Sequence, residues 1–295
     1  MGVRQGRRIS PDYYNIGSLT AAFWTALAES LLYADDGINI IYADTIEECN
    51  SKLQSVALEL SRWYDLVGLS LNVKKSEVMG FGFTPKIISI NNESIKPSTS
   101  IKFLGLTIQS DLKWNAHVDY ICNKLRASAG RIRFEGRHFT VKDRKTLYFA
   151  WTQGSLLSNG LAFLPRLNSG QELKLQVACN SAIRAILRLP RYGYLPLSSL
   201  RQQLRIPSVE ELSNKLILEA AWKKNYLAVT NRNLPGATTR ARSNLEMIHP
   251  NQNGHRSHMI STKCDIAWNE LPIAIKTEPV KSRALNMIKK LAFKS

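Results

Sequence analysis

Acidic residues are scarce in the later part of this chain. Residues 111–295 hold 12 Asp and Glu against 30 Lys and Arg, whereas residues 1–110 hold 11 against 10, so the net charge of +17 is regional. A segment this basic favours polyanions through counterion release and long-range attraction, nucleic acid being the commonest such partner. Cysteine is sparse as well. Cys49, Cys122, Cys179 and Cys264 lie far apart and form no CxxC pair, which argues against a disulfide framework and for a reduced compartment. His249, His255, His258 and Cys264 match no zinc-finger spacing. No apolar run approaches the roughly 18–20 residues of a membrane span, and Met1-Gly2-Val3-Arg4 leads into no signal-peptide core. The expectation is an intracellular protein, nuclear or cytoplasmic, not secreted and with no membrane partner. Internal repeats and long heptad runs are also missing, which excludes a solenoid or a coiled coil.

What is present begins with size. At 295 residues, 44% hydrophobic and 21% charged, the chain is long enough for one large or two medium domains with cores of their own.

Four short signals then follow in order. Gly2-Val3-Arg4-Gln5-Gly6 precedes Ser10-Pro11, where Ser10 can cap a helix beginning at Pro11, while Gly2 and Gly6 allow a sharp turn and close approach to a ligand. Leu31 to Tyr33 and Ile38 to Tyr42 read as strands joined through Ala34-Asp35-Asp36-Gly37, a hairpin with two carboxylates at its tip. Turn chemistry alone accounts for Asp and Gly there; a rigid tip also suits a magnesium site. Thr45 with Glu48 forms a capping-box pattern opening a helix that carries Leu53, Val56, Ala57, Leu60, Trp63, Tyr64 and Val67 on one stripe and ends at Gly68. Leu71-Asn72-Val73-Lys74-Lys75-Ser76-Glu77-Val78-Met79 then predicts a turn and a strand over Glu77 to Phe81. Phe103-Leu104-Gly105-Leu106-Thr107-Ile108 predicts a strand paired with Ile87 to Ile90 or Ser94 to Lys96 around Asn91-Asn92-Glu93.

The run RQG with SP, then YADD, LNxxKSExM and FLG, resembles motifs B, C, D and E of non-LTR retrotransposon (LINE- or jockey-like) reverse transcriptases over residues 2 to about 110. The resemblance implies a partial palm of antiparallel strands plus helices, followed by a mainly α-helical basic thumb and tail, α+β in class. It also implies that Asp35 and Asp36 hold Mg2+ for two-metal nucleotidyl transfer, with Lys75 stabilising the departing pyrophosphate. Arg4, Gln5, Gly6 and Tyr33 would contact template, primer end and incoming deoxynucleoside triphosphate, and Phe103, Leu104 and Gly105 would form the primer grip. The partners implied are an RNA template and a DNA primer.

Two departures stand beside the matches. Arg7-Arg8 occupies a place where the family more often has a small or acidic residue with Pro. The family also takes a further Asp from motif A, on a strand before motif B, and motif B here starts at residue 2; the expectation is no polymerase activity from these residues alone. A non-catalytic RNA- or DNA-binding remnant is the rival reading. A YxDD RNA-dependent RNA polymerase is a third, opposed by LNxxKSExM and FLG.

The rest reads as helices. Residues 111–165 form a thumb-like region whose helix from about Ala116 to Phe134 buries Val118, Ile121, Leu125 and Ile132 and offers Lys124, Arg126, Arg131 and Arg133 to a nucleic-acid backbone. Thr140 with Asp143, Ser169 with Glu172 and Ser208 with Glu211 are further capping-box patterns. Residues 166–229 are a helical basic connection carrying Arg184, Arg188, Arg191, Arg201 and Arg205. Residues 230–262, rich in Asn, Pro and Gly, are expected to be a flexible linker, and 263–295 a helical tail. Its Ala267-Trp268-Asn269-Glu270-Leu271-Pro272 is similar to the carboxyl-terminal ends of such elements.

Overall fold

The computed structural model describes residues 27–33, 36–193, 195–230, 260–278 and 280–293. Contacts divide the chain into two units, residues 1–113 and 114–295. The described part of the first mixes strands with one long helix, and that of the second is helical.

Antiparallel strand pairs organise the described part of the first unit. Strands β1 (Glu29–Tyr33) and β2 (Asp36–Ile40) pair antiparallel, with Tyr33 opposite Asp36. Strands β3 (Ile88–Ile90) and β4 (Glu93–Ile95) close around Asn91-Asn92, and β5 (Ser100–Phe103) and β6 (Leu106–Gln109) around Leu104-Gly105. Both loops carry positive φ at both positions, 48° and 64° in the first and 46° and 83° in the second, as a type I′ turn requires. The three pairs form separate ladders among the described residues.

Helix α1 (Ile46–Leu66) starts where Thr45 accepts from the Glu48 amide, with Glu47 and Glu48 complementing the helix dipole. The reciprocal arm of the expected capping box falls one residue earlier, on the Asp44 amide at 3.2 Å. Gly68, at φ 74°, follows the last turn as expected. Val56, Ala57 and Trp63 are buried, and Ala57 packs with Val78, Ile88, Ile90 and Ile95 in a small core. Polar side chains stitch the helix to β3: Gln54 Nε2 donates to the Ser89 carbonyl at 2.7 Å while its Oε1 accepts from the Ser89 amide at 3.0 Å. A glutamine thus takes the place of a neighbouring strand and satisfies an edge that water would otherwise have to serve.

The strand predicted over Glu77 to Phe81 does not form. Val78 makes an isolated bridge to Pro97, and the chain folds back so tightly that a Cβ on Gly80 would lie 2.5 Å from the Phe83 carbonyl oxygen. Likewise Phe103 to Ile108 is no single strand, because Leu104 and Gly105 turn the chain and pair its two halves with each other.

In the second unit, α2 (Asn115–Glu135) lies against α6 (Ser169–Ile186). Val118, Ile121, Cys122, Leu125, Ala129 and Ile132 are the buried stripe of α2; Leu175, Ala178, Cys179, Ala182, Ile183 and Ile186 are that of α6. Between them in sequence, α3 (Val141–Leu147) opens on the Thr140 and Asp143 capping box, runs into a π-helical turn over Tyr148–Gln153 and leaves as α4 (Gly154–Leu157). Helix α5 (Gly160–Phe163) is a single turn. Helix α6 opens on Asn168 and Gln171, one position before the expected Ser169 and Glu172, since Asn with Gln satisfies the same reciprocal geometry. Helix α7 (Leu197–Gln203) precedes α8 (Val209–Thr230), where Glu211 and Ser208 exchange both capping bonds.

A second core joins α8 to α9 (Ile260–Glu270), α10 (Ile273–Lys276) and α11 (Lys281–Ala292). Trp268 and Leu271 anchor it as the sequence suggests, both buried. Trp222 Nε1 donates to the Ile275 carbonyl at 3.1 Å, and Lys224 grips both oxygens of Asp265 at 2.8 and 2.9 Å. No described helix is long and apolar enough to cross a membrane.

Candidate nucleic-acid interface

The residues singled out in the first unit lie on separate turns. Asp36 is exposed at the first position of β2, and Tyr33 opposite it is 64% exposed. Leu31 and Leu32 are exposed too. Gly37 faces Leu32, where a Cβ would come within 3.1 Å of a Leu32 methyl. Asp35, Arg4, Gln5 and Gly6, and the helix expected from Pro11, lie outside the described residues.

Lys75 ends a 3₁₀ turn over Val73–Lys75, held by the Asn72 side chain accepting from the Lys75 amide at 3.2 Å, and its side chain is exposed. Among the described residues no hydrogen bond or ion pair joins Lys75 to Asp36. Phe103 is half-buried beside its turn, with Leu104 and Gly105 exposed. Among the described residues no three His, Cys, Asp or Glu side chains gather to hold a metal. Asp36 is thus a single exposed carboxylate, and the adjacent Asp35 brings the carboxylates offered by sequence to a pair, fewer than a full magnesium shell needs.

The second unit separates cations that face solvent from those that serve the fold. Lys124, Arg126 and Arg131 are exposed on α2. Lys124 Nζ stands 5.5 Å from the Tyr120 ring centre, and Arg126 reaches Asn123 Oδ1 at 3.3 Å. Arg133 is half-buried and donates to the Leu189 carbonyl at 2.9 Å, which ties it to the end of α6. Arg184 is buried and donates to the carbonyls of Pro190 and Gly193, so it is not part of a basic surface. Arg144 is buried as well, reaching the carbonyls of Ile186, Phe139 and Gly136 at 2.7, 2.9 and 3.3 Å. Burial, with the Lys124 charge second, holds His117 below its ordinary value, so the ring beneath this face is neutral at pH 7.

Sequence reasoning passed over the aromatic rings among these cations. Phe134 is 69% exposed, with the Arg137 guanidinium 5.3 Å from its ring centre, and Lys145 stands 5.7 Å from the ring of Phe149. The signal was the spacing of Tyr120, Lys124, Arg131 and Phe134 along one helix.

Compared with known proteins, the chain matches no family model, no curated protein and no solved structure.

Proposed function

We propose that these residues are part of a non-LTR retrotransposon reverse transcriptase, an RNA-directed DNA polymerase, running from motif B of its palm through a basic thumb. We further propose that the 295-residue polypeptide on its own binds primed template without extending it. The observation that carries this reading is the register of the first hairpin. Tyr33 stands opposite Asp36 at the close of the β1–β2 pairing, so the described residues of the YADD run fall at the turn end of an antiparallel strand pair, a disposition suited to a polymerase carboxylate. The order of the RQG, LNxxKSExM and FLG signals and the basic second unit support it.

In this reading Asp35 and Asp36 would supply oxygen donors for Mg2+, which when bound offsets charge on the primer hydroxyl and the leaving pyrophosphate. Tyr33 would lie beside the primer end. Lys75 would attract the pyrophosphate, Arg4, Gln5 and Gly6 would meet the templating base and deoxynucleotide, and Phe103, Leu104 and Gly105 would support the primer. Lys124, Arg126 and Arg131 would contact the nucleic-acid backbone, with Arg133 holding α2 in place.

Primer extension on poly(rA)/oligo(dT) in magnesium tests this, with duplex binding measured on the same samples. Binding without extension is expected. Extension abolished by Asp35→Ala would overturn the inactive half of the reading, and failure to bind would overturn the whole. A non-catalytic binding protein is a second reading, favoured by the exposed cations of α2. Like the first reading it predicts binding indifferent to Asp35 and Asp36 with steep salt dependence, and it differs in predicting no effect of Mg2+ and deoxynucleotide on that binding.

A further inference from the structure

One face of α2 carries an ordered alternation that backbone contacts alone do not call for. Tyr120, Lys124, Ala127, Arg131 and Phe134 follow each other at steps of four and three residues, so they form one stripe along the helix. All five are exposed, on the side away from the buried Val118, Ile121, Leu125 and Ile132. The stripe has an aromatic ring at each end, two cations between them and a small residue at its centre. Tyr120 to Phe134 spans roughly 21 Å at the rise of an α-helix. Each ring already has a cation near it, Lys124 at Tyr120 and Arg137 at Phe134. Of the two acidic residues on α2, Asp119 is engaged by Lys174, while Glu135 ends the helix beside the stripe.

An exposed phenyl ring is an unfavourable thing to leave in water, and beside cations it gains most from a partner that is both flat and anionic. A duplex hides its base faces and shows a wall of phosphates, for which Lys and Arg suffice. An unpaired strand shows both, and stacking of its bases on aromatic rings tolerates any sequence. We infer that the Tyr120–Phe134 stripe of α2 is a binding surface for single-stranded nucleic acid, with bases stacked on the two rings and phosphates met by Lys124 and Arg131. This rests on the reading of the second unit as a nucleic-acid binder and not on the polymerase resemblance.

Fluorescence anisotropy with the full chain, a labelled oligothymidylate and a duplex of equal length tests it. Tyr120→Ala with Phe134→Ala is expected to weaken single-strand binding at least roughly tenfold and duplex binding less than about twofold. Tyr120→Phe with Phe134→Trp is expected to keep both affinities, and Lys124→Gln with Arg131→Gln to lower both. Far-UV circular dichroism checks that the double alanine variant is folded; Phe134→Ser, at the more exposed of the two rings, repeats the test if it is not. Equal losses on both ligands, or an unchanged single-strand affinity, would overturn the stripe while leaving the second unit a nucleic-acid binder. No binding of either ligand by the unaltered chain would overturn both inferences. Tighter binding of polyglutamate than of the oligonucleotide would also overturn the stripe, in favour of an acidic protein partner.

Discussion

Tyr33 and Asp36 face each other as the last pair of the antiparallel ladder between β1 and β2. Asp36 therefore belongs to a strand through its backbone while its carboxylate stays in solvent. Removing that charge leaves the ladder intact. Asp36→Asn is expected to change unfolding free energy by less than about 0.5 kcal/mol, as for other exposed positions without buried partners. Urea denaturation followed by circular dichroism measures it, and a larger loss would show that the carboxylate has a structural task.

Leu104 sits at φ 46° in the turn between β5 and β6, a conformation that a branched apolar side chain adopts at a cost. Asn is the residue that a type I′ turn prefers at this place, followed by the Gly that Gly105 already provides. Leu104→Asn is expected to raise stability by about 0.5–1 kcal/mol, and Gly105→Ala to lower it by about 1 kcal/mol or more. Opposite shifts of the urea midpoint check the pair. A destabilising Leu104→Asn would mean that the leucine side chain contributes more than its backbone strain removes.

Arg144 is 5% exposed, and its guanidinium joins carbonyls from the end of α6 and from the turn after α2. Arg144→Met would leave those acceptors buried without a donor, at about 3 kcal/mol. Arg144→Lys should recover little, because a point donor cannot serve a forked set of acceptors. Thermal unfolding of both variants tests this, and a full rescue by lysine would contradict it.

Burial pushes the Cys179 thiol up to about 12 and raises Cys122 and Cys264 as well, whereas Cys49 is half-buried. At pH 8 a thiol reagent is expected to modify Cys49 first, with the other three reacting on unfolding. A thiol ionising near 8.5 when unfolded and near 12 when folded stabilises the fold fully below pH 8.5, and that contribution is lost as pH rises between the two values. The urea midpoint should therefore fall between pH 8 and pH 10.5. An unchanged midpoint would contradict the burial.

Much of the local structure was legible because turns and caps announce themselves in few residues. Asn91-Asn92-Glu93 marked a turn, although the strands that close around it are Ile88–Ile90 and Glu93–Ile95 and not Phe103 to Ile108, and the patterns at Thr140 and Ser208 fixed two helix starts. Leu104-Gly105 stayed hidden inside an apolar run, since leucine is a poor signal for a left-handed turn. The strand over Glu77 to Phe81 failed for the opposite reason, as Val78, Met79 and Phe81 are apolar but Gly80 and Gly82 let the chain fold back. Arg133 and Arg184 counted as surface charge in sequence. Periodicity shows which face of a helix is buried and not which loop carbonyl returns to meet a long side chain at its edge, and both arginines meet such carbonyls. For the candidate site, Lys75, Leu104 and Gly105 fall on exposed turns with Phe103 half-buried at the end of β5, and the stripe through Tyr120 and Phe134 was visible as spacing but concealed by treating rings and cations apart.

The exposed cations of α2 carry the binding half of the account. Arg131→Gln is expected to weaken binding of every nucleic acid and to reduce the salt slope by about one, as loss of one phosphate contact does, whereas Arg133→Gln should act mainly on stability through Leu189. Comparable loss of salt slope in both variants would contradict this division.

The measurement that tests the central claim most directly is a salt titration of primer–template binding by the purified chain beside an Asp35→Ala, Asp36→Ala variant. The account predicts equal affinities and one steep, shared dependence on salt. Binding that collapses in the variant, or that is weak and insensitive to salt in both, would contradict it.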